Sequence, residues 1–138
     1  EEGVGRVAVR DFENVLARRL GLAPVECTFK ETCGKYVVVE HNGDVYPCDF
    51  HVRDEWRLGN LAGESLSRMT AGRLQEFAAR KRELGERCAA CEWLWLCNGG
   101  CPRRRRGGVD YLCAAYRKFF EHTVEDFRRL AATVVAGA

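Results

Sequence analysis

Long apolar runs are missing from this 138-residue chain. No stretch approaches the ~18 consecutive apolar residues of a membrane-spanning helix, so no membrane partner is expected. A basic-then-apolar leader is missing too: the chain opens EEGVGRVAVRDFE, and nothing there marks it for export. Charge of one sign is scarce. The 22 Lys and Arg against 20 Asp and Glu leave a formal net charge of +2, which gives no electrostatic case for nucleic acid. Neither low hydrophobicity nor high net charge is present to argue for disorder: 46% of residues are hydrophobic and 30% charged, and the length suits one domain. What the chain has in excess is cysteine, eight in all.

Eight cysteines in one small domain admit disulfides, structural zinc or iron–sulfur clusters. Disulfides need an oxidising compartment, and with no leader the expectation is a reducing, cytoplasmic one. The chain starts without Met and opens directly on the strand-like VGRVAV, so it is expected to be a piece of a longer protein.

Residues 4–9 alternate as a short strand, and 11–20 read as a helix with Asp11 as its cap and Gly21 closing it. An irregular loop follows over 22–34. KYVVVE, HNGD and VYPC then spell a β-hairpin over 36–48, with Asn42-Gly43 as a two-residue type I′ turn. Residues 57–63 read as a turn between elements, and 71–84 as an amphipathic helix with Leu74, Phe77, Ala78 and Leu84 on one side. A last helix is expected over about 110–135, with Thr123 and Asp126 as a capping box restarting it after a bend.

The cysteines run Cys27-x5-Cys33-x14-Cys48, then Cys88-x2-Cys91-x5-Cys97-x3-Cys101-x11-Cys113. Thiolates are soft ligands that suit zinc or iron–sulfur clusters, and eight make two four-sulfur sites. Paired C-x2-C knuckles are usual for zinc, and only one such pair occurs here. Uneven spacing favours clusters without settling the metal. His41, His51 and His122 have no spacing partner, Trp93 and Trp95 read as shielding or core, and Arg103–Arg106 as a solvated loop with a mild electrostatic role.

Cys33, Gly43, Cys48, the C-x2-C-x5-C-x3-C run and a final cysteine resemble the seven-cysteine signature of the SPASM domain. That domain is the C-terminal extension of many radical S-adenosylmethionine enzymes. CTFKETCG, VEHNGDVYPCDF, RLGN and CNGGCPRRR resemble the anaerobic sulfatase-maturating subfamily. The resemblance implies a small α+β, cysteine-rich domain: a β-hairpin, cluster-binding loops and flanking helices. It implies two auxiliary [4Fe–4S] clusters, the first on Cys27, Cys33, Cys48 and Cys101, the second on Cys88, Cys91, Cys97 and Cys113. It also implies that Asp49 is a general base, deprotonating the substrate side chain.

Residues 1–26 would then connect from a preceding radical S-adenosylmethionine barrel, 27–121 would be the SPASM domain, and 122–138 a C-terminal helix. The implied parent reaction oxidises a Cys or Ser of a sulfatase polypeptide to Cα-formylglycine. S-adenosylmethionine and a third [4Fe–4S] cluster would sit in the barrel. The C-x3-C-x2-C loop for that cluster is absent here, because Arg104 stands where the third cysteine would be, so this chain alone is expected to be inactive. The alternatives are a SPASM domain of another peptide-modifying maturase and a zinc scaffold with no redox role.

Overall fold

The computed structural model describes residues 6–137. Helix α1 (Arg10–Arg19) is followed by a 3-10 turn at Cys27–Phe29, a three-stranded sheet, four short helices, a two-stranded ribbon, and the long helix α6 (Cys113–Ala136). The fold is α+β.

Of the expected strand at 4–9, residues 4 and 5 lie outside the described residues, and 6–9 form a turn and an unpaired extended link into α1. Val9, not Asp11, occupies the N-cap of α1 and offers no side-chain bond. Asp11 lies in the first turn, where a carboxylate still favours the positive end of the helix. At the other end Gly21 N–H donates to Arg18 O and Leu22 N–H to Ala17 O, closing the helix as a Schellman motif.

The hairpin forms from β1 (Val38–Val39) and β2 (Asp44–Tyr46), paired antiparallel with Val39 opposite Val45. Its loop differs from the expected two-residue turn. Glu40 N–H donates to Asp44 O and Gly43 N–H to Glu40 O, so the loop is His41-Asn42-Gly43, and only Gly43 has positive φ (+85°). This is a type I turn followed by a left-handed glycine in a bulge. Asn42 prefers it because its side chain accepts from Asp44 N–H (3.1 Å) and donates to the Asp44 carboxylate (2.9 Å).

The segment read as a turn at 57–63 contains a third strand, β3 (Gly59–Asn60), paired with β2. Two residues are too few to leave a periodic signal. Against this sheet packs a small core of Val45, Leu58 and Met69, edged by Val37 and Leu74.

The helix expected over 71–84 is shorter. It is preceded by a separate α2 (Leu66–Thr70), capped by the Ser65 side chain, and runs as α3 (Arg73–Ala79) before tightening into a 3-10 turn at Arg80–Arg82. The Arg105 guanidinium accounts for the early end: it donates to Lys81 O and Glu83 O, both at 2.8 Å, carbonyls a longer helix would have used itself. Gly85 stands as N-cap of the next helix, α4 (Glu86–Ala89), and α5 (Leu94–Cys97) follows.

Helix α6 runs unbroken for 24 residues. Thr123 restarts nothing; its hydroxyl donates back to Phe119 O (2.7 Å), and Asp126 pairs with Arg129 instead of capping. The main core joins α1, the Cys27–Phe29 turn, α5 and α6 through Val15, Phe29, Trp93, Leu96, Phe120 and Phe127. Phe29 meets Tyr116 edge-on at 5.8 Å, and Phe12 stacks on Phe119 at 5.5 Å. This core fixes the loops on which the cysteines sit.

Candidate metal centres

No two of the eight cysteines are joined in a disulfide. The fold gathers them in two places. Cys33, at the mouth of the hairpin, is half-buried, and burial pushes its thiol up to about 11. Lys81 opposes that shift, and the neighbouring Cys101, Cys27 and Cys48 add to it. Burial likewise raises Cys97, whose neighbouring thiols are Cys91, Cys88 and Cys113. These last four line one cavity, whose other walls include Trp93, Leu94, Val109, Tyr116 and Phe120.

Local geometry explains how loops so far apart in sequence meet. Asn14, 1% exposed, donates to Arg10 O and accepts from Glu26 N–H at 2.9 Å, pinning the chain just before Cys27 to α1. Asn98, left-handed at φ 47°, donates to Phe29 O at 2.7 Å and ties the NGG turn to the Cys27–Phe29 turn. Gly99 N–H bonds the Cys97 sulfur, a bond that favours thiolate. Gly100 is obligatory: its φ is +65°, and a Cβ there would lie 1.9 Å from Asp110 Oδ2.

Asp110 and Lys81 carry more of the site than the sequence disclosed. Asp110 is 5% exposed; Oδ2 accepts from Cys101 N–H (3.1 Å) and Arg104 Nε (2.9 Å), and Oδ1 from Leu112 N–H (2.9 Å). One carboxylate thus braces the backbone of Cys101 and the chain entering Cys113. Lys81 is 1% exposed and donates to Thr28 O (2.8 Å), Gly100 O and Cys27 O (3.4 Å). It lies four residues after Phe77 on the buried stripe, the one sequence signal that could have exposed it. The arginine run is correspondingly less solvated than expected. Arg104 pairs with Asp110, and Arg105 donates to four backbone carbonyls, while Arg103 and Arg106 remain exposed.

Asp49 begins a 3-10 turn directly after Cys48 and is exposed. Tyr36 hydroxyl donates to its Oδ1 at 2.7 Å, and the Cys48 thiol lies 3.4 Å from the same oxygen. The tyrosine bond, above all, holds the Asp49 carboxyl below its usual range. His51 is buried edge-on against Phe77 at 5.0 Å, and burial lowers its pKa, as for a neutral core histidine.

Among the described residues no three His, Cys, Asp or Glu side chains close in to the spacing of one bound metal ion. The thiols are gathered more loosely than in a tetrahedral zinc site, where all sulfurs lie about 2.3 Å from one centre. Soft donors around a largely apolar cavity fit a polynuclear iron–sulfur group, whose irons spread its ligands.

Residues 27–92 match the SPASM family, an iron–sulfur cluster-binding domain. The chain carries a SPASM domain. It is 37% identical over 131 residues to the serine-type anaerobic sulfatase-maturating enzyme of Bacteroides thetaiotaomicron, covering 88% of this chain and 32% of that protein. It is 37% identical over 124 residues to the cysteine-type enzyme of Clostridium perfringens, covering 85% of this chain and 34% of the relative. A solved structure described as native anSMEcpe with bound AdoMet and Cp18Cys peptide superposes with a TM-score of 0.86 at 33% identity, over 96% of this chain and 39% of that one. The chain therefore spans about a third of the length of these relatives. SPASM domains bind iron–sulfur clusters, and the donor set of this one suits them. Among the described residues no helix is long and apolar enough to cross a membrane.

Proposed function

We propose that this SPASM domain is the auxiliary cluster-binding, electron-transfer and peptide-binding part of an enzyme that oxidises a Cys or Ser of a sulfatase to Cα-formylglycine. The observation that carries the reading is the joint placement of two separate four-thiol groups and an exposed carboxylate, Asp49, next to one of them, in a chain similar to both serine- and cysteine-type sulfatase-maturating enzymes. Cys27, Cys33, Cys48 and Cys101 would hold the first [4Fe–4S] cluster, and Cys88, Cys91, Cys97 and Cys113 the second. Residues 1–26 lead from a radical S-adenosylmethionine barrel, which holds S-adenosylmethionine and a third cluster; 27–121 form the SPASM domain, and 122–138 are its C-terminal segment, in which α6 runs on to Ala136. Thiol-held clusters and unpaired cysteines suit a reducing, cytoplasmic setting.

The clusters, when bound, supply one-electron acceptance. The residues do the rest. Tyr36 favours the ionised form of Asp49 and holds it in one orientation on the exposed surface where the peptide would arrive. Asp49 takes the proton of the substrate thiol or hydroxyl as that side chain is oxidised. The aromatic walls around Cys88, Cys91, Cys97 and Cys113 keep water from the sulfurs.

The test is turnover of a peptide bearing a sulfatase Cys-x-Pro-x-Arg segment by the full-length protein, with aldehyde followed by mass spectrometry. Asp49→Asn should keep the iron and lose aldehyde, and Cys97→Ala should lose about half the iron. No aldehyde from the wild-type protein would sink the proposed reaction, and unchanged iron in Cys97→Ala would sink the ligand assignment.

A further inference from the structure

Lys81 is a buried cation that the reading above does not use. Its ammonium has three protons and finds three carbonyls, those of Thr28, Gly100 and Cys27. A neutral amine would have only two protons to give and would turn its lone pair on a carbonyl, so the three acceptors match the ammonium form. Among the described residues no carboxylate pairs with it. Its neighbours on the same turn, Arg80 and Arg82, are cations, and a further cation, Arg105 on the two-stranded ribbon, reaches Lys81 O with its guanidinium. A buried charge left so is strongly unfavourable unless a negative group faces it. Burial works against the Lys81 charge and Arg105 adds to that, while the sulfurs of Cys33, Cys101 and Cys27 are close enough to oppose it.

We propose that Lys81 is the counter-charge of the cluster held by Cys27, Cys33, Cys48 and Cys101, and that it sets that cluster's reduction potential. A cubane core on four thiolates is negative in either oxidation state and more so once reduced. A fixed cation at the wall stabilises the reduced form and raises the potential. The same ammonium clamps the two backbones that deliver Cys27 and Cys101, 74 residues apart in the sequence, so the charge cannot drift from the sulfurs. Among the described residues the cavity of Cys88, Cys91, Cys97 and Cys113 is lined by no buried cation: Arg87 and Arg117 at its edge are exposed, and Arg105, which acts on Cys88, is half-buried. Lys81 thereby makes the surroundings of the two clusters unequal. This inference rests on the ligand assignment, not on the formylglycine reaction.

The experiment is an anaerobic redox titration of the full-length, cluster-loaded protein, followed by electron paramagnetic resonance, with three variants. Lys81→Gln keeps hydrogen-bond donors and removes the charge, Lys81→Met removes both, and Lys81→Arg keeps the charge. Lys81→Gln should move the first cluster's midpoint negative, cutting its reduced-to-oxidised ratio at fixed potential about tenfold or more (about 59 mV for one electron), with the second cluster unmoved. Lys81→Arg should stay near wild type. Should Lys81→Gln and Lys81→Met lose only the first cluster's iron while Lys81→Arg retains it, the charge is required for the cluster and the proposal stands. An unchanged midpoint in iron-replete Lys81→Gln would overturn it, as would a shift or iron loss in Lys81→Arg equal to that in Lys81→Gln. Cys33→Ala with unchanged iron would instead overturn the ligand assignment beneath it.

Discussion

Asp110→Asn is the substitution whose cost the geometry predicts most directly. The carboxylate serves three donors with two oxygens: Oδ2 takes Cys101 N–H and Arg104 Nε, and Oδ1 takes Leu112 N–H. An amide has one oxygen. With that oxygen in the Oδ2 position its NH2 points at Leu112 N–H, donor against donor; flipped, it abandons Cys101 and Arg104. Either way a buried N–H is left unpaired, at about 1–3 kcal/mol. Arg104, whose Nη2 lies 2.8 Å from Oδ2, also loses its counter-charge. Breaking a buried pair costs about 3–5 kcal/mol, and since Arg104 is 23% exposed the lower end applies. The two terms overlap, so the expected loss is about 3 kcal/mol, which for a domain of this size lowers the melting temperature by roughly 10 °C. The assay is thermal unfolding of the cluster-loaded protein at a fixed scan rate, with iron counted before and after. Because Asp110 braces the chain at Cys101 and at Leu112, iron should leave both sites earlier than in wild type. A melting temperature within about 2 °C of wild type, under 1 kcal/mol, would refute the reasoning.

Gly100→Ala should abolish cluster loading, counted as iron per chain, because φ is +65° and the new Cβ meets Asp110 Oδ2 at 1.9 Å; Gly63→Ala, with open space around it, should keep its iron and change stability by less than about 0.5 kcal/mol in a denaturant titration. Phe29→Ala should cost about 3–5 kcal/mol by chemical denaturation, since the ring is 1% exposed in the main core and anchors the turn carrying Cys27. The carboxyl of Asp44 is held below its usual value, chiefly by its bond from Arg57 (2.6 Å), so its contribution is present above the unfolded pKa and lost as pH falls through the lower folded one. The destabilisation by Asp44→Asn should therefore be clear at about pH 6 and shrink steadily as the pH falls below the usual carboxylate range, and a pH-independent difference would count against the Asp44–Arg57 contact.

The fold class, the hairpin, both long helices and all eight cysteines were legible in the sequence, because each writes a local signal. Apolar spacing marks α1 and α6, β-branched residues around HNGD mark the hairpin, and cysteine spacing needs no folding to be read. The proposed division into two ligand sets and the proposed role of Asp49 come from the resemblance, since spacing alone could not divide the cysteines. Short elements escaped: β3 is two residues, and α2 five, below any periodic signal. So did the form of the hairpin loop, where Asn42 bonding to Asp44 favours a right-handed turn over the left-handed conformation Asn-Gly invites.

Only the tertiary structure decided which polar residues go inside. Lys81, Asp110 and Asn14 look like ordinary surface residues in sequence, since a buried charge or amide is tolerated only when specific partners meet it. Those partners, the carbonyls of Thr28 and Gly100, the amides of Cys101 and Leu112, and the amide of Glu26, lie on other segments. Cysteine chemistry is written along the chain; the charge and hydrogen bonds that hold the thiols in place arise when distant segments meet.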